Sequence, residues 1–111
     1  MFDAMQIGVS GMQAAQVAVA ARARNIANVN TKGYLPVEPI SRDSAGGVQA
    51  SISQAGLSPE TAALIADIPM SPVDLAAELA QLRMAQIAYQ ASAKVVATAS
   101  QMEKTALEAF G

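Results

Sequence analysis

Asp74 and Glu78 stand four residues apart in VDLAAE, a spacing that sets two carboxylates on one helix face. Such a pair could hold a divalent cation or divide acid and base roles between its members. Neither a third ligand nor a partner acid lies close by, and acids at the start of a helix are what its dipole favours. Glu103 and Glu108 share a face only loosely. The chain has no histidine and no cysteine, which removes the imidazole base, the thiol nucleophile and the common zinc ligand sets. Gly8 and Gly11 neither follow a strand nor fit the spacing of a phosphate loop. The expectation is a protein that is not an enzyme and uses no cofactor and no metal.

The stretch ARNIANVNTKGY, residues 23–34, is chemistry of another kind. Asparagine is a poor helix former whose amide competes for backbone groups, yet Asn25, Asn28 and Asn30 fall within six residues at the end of an Ala- and Val-rich run. Part of the pattern reads as a helix stop, with Thr31 in the turn and Gly33 or an asparagine in a left-handed conformation ahead of Tyr34. A stop does not account for Asn25. A buried amide in an apolar seam fixes register, because a misaligned neighbour leaves it unsatisfied. Asn25 and Asn28 are therefore expected to bond to an adjacent helix. Arg22, Arg24 and Lys32, the one local group of cations, read as complements to the helix C-terminus.

These side chains need long helices to place them. The chain has 111 residues, 52% hydrophobic and 14% charged, which is one folded domain at most. Phe2, Tyr34, Tyr89 and Phe110 are its only aromatics, so close helix-on-helix packing is favoured over a bulky core. The net charge of −2, with basic residues scattered, argues against nucleic acid. MFDAMQIGVSGMQ lacks the features of a cleaved secretory signal, and no apolar run is long enough to insert in a bilayer.

The repeat Met5, Met12, Val19, Ile26 predicts a first helix from Asp3 to Asn28, roughly 37 Å long. Pro36, Pro39, Gly46, Gly47, Gly56, Pro59 and Pro69 then break any long period. Within that segment Val48–Ser53 alternates as a short strand after the Gly46-Gly47 turn, and Ser58-Pro59-Glu60 starts a short helix ending before Pro69. Ser71 as cap, Pro72 as first helical residue and Asp74 three after the cap predict a last helix from Pro72 to Ala109, roughly 57 Å long. It carries two apolar lines, one through Leu75, Leu79, Leu82, Tyr89, Ala93, Val96, Leu107 and Phe110, the other through Met84, Ile87, Ala91, Val95 and Met102. The first helix is too short to cover both, so the leftover surface predicts assembly. Asp at Leu82 or Val96 is expected to place a charge in the association seam.

SGMQAAQ followed by ARNIANVNTKGY resembles the N-terminal signature of the bacterial flagellar axial family, the rod, hook and hook-associated proteins. VDLAAELAQLRMAQIAYQASAKVVATASQM is similar to the same family's closing segment, with its V-D-x-x-x-E start and A-Y-x-A-x-x-K core. The resemblance implies a mainly α fold: two long terminal helices paired as an antiparallel coiled coil, joined by a short irregular connector. The parts are residues 1–34, an axial helix with its Asn-rich turn, 35–71, the connector, and 72–111, the second axial helix. It implies a structural subunit of the basal-body rod or hook axis, packed into a tube around an export channel, spanning the periplasm and exported unfolded by the flagellar type III apparatus without signal cleavage. Partners would be further copies, other rod and hook proteins and that apparatus. The assembly role falls on Ser10, Gly11, Asn25, Ile26, Asn28, Asn30, Thr31, Gly33 and Tyr34, then Val73, Asp74, Leu75, Glu78, Tyr89 and Ala91. Met12, Val19, Leu82 and Val96 join them from the apolar lines. Arg24 stands where the family usually has the first asparagine of a pair, and Lys32 replaces a frequent proline. The connector is unusually short even beside proximal rod proteins and has no room for the β-rich outer domain of distal rod and hook subunits, which leaves a small proximal rod subunit or a reduced paralogue. A helical adaptor or closed oligomeric module associated with export uses the same apolar faces and remains the rival reading.

Overall fold

A computed structural model describes residues 2–54, 59–66 and 73–110. Along the chain come α1 (Phe2–Ala27), β1 (Val37–Ser44), β2 (Gly47–Gln54), α2 (Pro59–Ala66) and α3 (Leu75–Phe110). The two long helices run antiparallel, since Gly8 meets Val96, Gly11 meets Ser92 and Arg22 meets Glu78. This is the helical hairpin with a small connector that the family resemblance implies.

The seam between α1 and α3 is built from small residues. A Cβ added at Gly8 would lie 2.6 Å from Val96 Cγ2, and one added at Gly11 would lie 2.6 Å from Ser92 Oγ. Ala15, Ala85 and Ala99 are buried beside them. Gly8, Ala15 and Arg22 form the buried line, while Met5, Met12, Val19 and Ile26 are half-buried along its flank. The seven-residue period is as expected; its position around α1 is not, because the smallest side chains occupy the tightest contact.

β1 and β2 pair antiparallel from Val37↔Gln54 to Ser44↔Gly47. The expected strand is present, and it has a partner the sequence pattern hides. Pro39, Ser41, Arg42, Asp43 and Ser44 carry turn-like chemistry, but a two-stranded ribbon consists only of edges, where proline is tolerated. Gly46 closes the turn at φ +87°, a region that other residues avoid. The ribbon lies along a second face of α1, where a side chain at Gly47 would collide with the Ser10 hydroxyl. The α1 helix, expected to want neighbours on more than one side, thus has them within the chain.

The last helix begins later than expected. Asp74 is its cap: the Ala77 N–H donates to Asp74 Oδ1 at 3.2 Å, and the Glu78 N–H to the Asp74 carbonyl at 2.9 Å. The roles expected for Ser71 and Pro72 fall outside the described residues. At 36 residues against 26, α3 outlasts α1 by about 15 Å of helix. The radius of gyration is 18.9 Å, well above the roughly 13 Å of a compact chain this long.

Gly8→Leu should force α1 and α3 apart and lower the unfolding free energy by about 1–3 kcal/mol, read from urea melts followed by circular dichroism. A melt unchanged from wild type would mean that the helices do not approach this closely.

Candidate assembly surface and the polar cluster behind it

Asn25 is completely buried. Its Nδ2 donates to the Val37 carbonyl at 2.8 Å, while its Oδ1 accepts the Val37 N–H at 2.8 Å and the Tyr34 hydroxyl at 2.7 Å. The carboxamide pairs with Val37 as a neighbouring peptide group would, fixing the base of β1 to α1. The expected bond to an adjacent helix is not what forms. A segment only nine to twelve residues ahead reaches the amide first, because the Gly33 turn (φ +74°) folds the chain back.

Asn28 likewise serves its own helix end. Its Nδ2 donates to the Arg24 carbonyl at 2.8 Å, and its Oδ1 accepts the Thr31 hydroxyl at 3.1 Å. Ser10 accepts the Val48 N–H at 3.0 Å and donates to the Ile7 carbonyl at 2.7 Å, tying the ribbon's tip to α1. Asn30 and Leu75 are exposed, whereas Met12, Val19, Ile26, Leu82, Tyr89 and Val96 are half-buried. Val96 reaches Gly8 of this same chain. An Asp at Val96 would therefore strike the fold of the single chain, and is no clean test of an association seam.

Arg22 is the residue whose role the sequence conceals. It is buried, with Nη2 2.9 Å from Glu38 Oε2, Nη1 3.2 Å from Glu38 Oε1, and Nη1 3.3 Å from each oxygen of Glu78. One guanidinium thus joins α1, β1 and α3. Burial alone would lower its pKa, but the hydrogen bonds and charges of Glu38 and Glu78 outweigh that and hold it above its ordinary value. Its sequence signal was its place seven residues after Ala15, inside the seam. Glu78, read as a helix-start acid, is buried as the partner of this cation.

What remains outward is the second apolar line of α3: Met84, Ile87, Ala91, Val95 and Met102 are all exposed. Among the described elements only α1 packs on α3, and Val95 of this line borders that contact, its Cγ1 3.5 Å from a Cβ added at Gly8. Among the described residues there is no group of three or more residues that could hold a metal ion, and no helix long and apolar enough to cross a membrane.

Fold and surface together define a helical hairpin with exposed apolar residues along its longer helix. Residues 5–34 match the family model for flagella basal body rod protein, and residues 69–109 match that for flagellar basal body rod FlgEFG protein C-terminal. The chain belongs to the flagellar basal-body rod family, with a structural role in the basal body alongside other rod and hook proteins. No individual curated protein is similar enough to count as a match.

Asn25→Ala would leave the buried Val37 N–H and carbonyl without partners, so a loss of roughly 2–4 kcal/mol is expected in urea melts, with faster hydrogen exchange at Val37. Unaltered exchange there would refute the anchoring. Tyr34 offers a pH test in a Tyr89→Phe background. Burial raises the Tyr34 pKa above its ordinary 10.0, Glu78 adds to the rise, and Arg24 opposes it. The folded state holds this proton more tightly than the unfolded chain, so the stability it contributes is present below about pH 10 and declines as pH climbs through the folded-state value. Absorbance titration should find the folded phenol ionising later than the same phenol in urea; coincident curves would contradict it.

Proposed function

We propose that the protein is a non-enzymatic rod subunit that packs with further copies and with other rod and hook proteins into a tubular, helically arranged assembly. The observation that carries this reading is the outward stripe of α3, an apolar surface that none of the described elements covers. Contacts repeated by rotation and rise make a filament, and many buried seams give it stiffness. The subunit reaches the basal body unfolded through the flagellar type III apparatus. In this reading the Asn-rich turn, Ser10 and Glu78 act on assembly by fixing the shape each subunit presents.

Replacing Ile87 and Ala91 together by Asp should leave helicity by circular dichroism intact and abolish concentration-dependent association in sedimentation, filaments in electron micrographs, and swimming. Undiminished association and motility in the double variant would remove the stripe from the interface.

A further inference from the structure

Six methionines are present, and two of them, Met84 and Met102, project from the outward stripe with 68% and 56% of their surface exposed. They lie eighteen residues apart, five full turns of α-helix, and so share one azimuth about 27 Å apart along α3. Met5 and Met12 are half-buried along the α1 flank. A thioether that contacts water is open to peroxide, whereas one packed beneath neighbours is shielded.

We propose that Met84 and Met102 are oxidation sites that control association of the unassembled subunit. The inference rests on the assembly reading above. In the reaction the thioether sulfur takes one oxygen atom from hydrogen peroxide, the O–O bond breaks and water leaves. Sulfur is oxidised to the sulfoxide and peroxide is reduced. The product replaces a soft apolar surface with a strong, chiral acceptor dipole, which an apolar neighbour cannot satisfy. Both side chains are more than half exposed and outside the closest contacts at Gly8 and Gly11, so the subunit keeps its fold while the stripe loses its match to a partner. Once the stripe is covered, the same sulfurs are protected, so oxidation acts before assembly and not after it. Paired sulfoxide reductases, one for each epimer, reverse the change.

The test treats purified full-length protein with hydrogen peroxide and follows oxygen addition peptide by peptide in mass spectra, alongside circular dichroism and sedimentation. Met84 and Met102 should oxidise several-fold faster than Met5 and Met12, helicity should persist, and association should fall until the reductases restore it. A Met84→Leu, Met102→Leu variant, which keeps every other methionine, should associate normally and continue to do so after peroxide. The proposal is overturned if Met84 and Met102 react no faster than Met5 and Met12, if oxidised wild type associates like untreated protein, or if the leucine variant is equally disabled by peroxide. Association that resists oxidation but is lost in the Ile87, Ala91 double Asp variant would reject the oxidation control alone. Untreated protein that never associates would reject the control together with the assembly reading, while the relative oxidation rates would still decide whether the two sulfurs are the reactive ones.

Discussion

The backbones of α1 and α3 lie close because Gly8 and Gly11 place no side chain between them and Val96 and Ser92. Close contact between small residues gains dispersion energy over a long line but buries little apolar area per residue. The apolar residues buried among those described are four alanines and one valine. Such a seam cannot choose its own alignment, since one alanine resembles the next. Alignment has to come from groups that fail visibly when misplaced, and the polar residues supply it.

Arg22 and Asn25 stand three residues apart on α1 and divide that task. The guanidinium fixes how far α3 slides, because only one register presents the Glu78 carboxylate to it, and it holds Glu38 of the ribbon as well. A buried ion pair adds little net stability compared with an apolar pair, but removing one partner strands the other charge. The Asn25 carboxamide fixes where β1 begins. Between them the three elements are set with few large side chains in the interior, and the bulky apolar residues of α3 are left on its outer side.

The two long helices and the apolar line left on the outside of α3 were legible in the sequence because each depends on a period that repeats over many residues, while the antiparallel pairing came from the family resemblance. Met84, Ile87, Ala91, Val95 and Met102 could be grouped without knowing any partner. The azimuth of the inner seam was misread, since apolar size points to Met5, Met12, Val19 and Ile26, whereas closeness of approach selects glycine and alanine. β1 was hidden by its own residues, which resemble a loop and pair only because β2 lies opposite. The bonds of Asn25 and Arg22 were hidden for a different cause: both meet groups placed by the chain reversal at Gly33, a tertiary event that local pattern does not encode. For Asn25 the sequence announced a buried amide, and only its recipient was wrong.

Two repeats coexist on α3 and do not keep step. The inward residues Glu78, Ala85, Ser92 and Ala99 recur every seven, which is 3.5 per turn, while Met84 and Met102 recur at five turns of 3.6. The two rulers diverge by about 20° in each heptad, or about 50° between the methionines. Because α1 must follow the first ruler and the outer surface follows the second, the stripe slowly rotates about the α1–α3 pair. A straight rod laid against it would therefore lean away from α1 near Met84 and towards one side of it near Met102, so the skew of any neighbour is already written into a single helix.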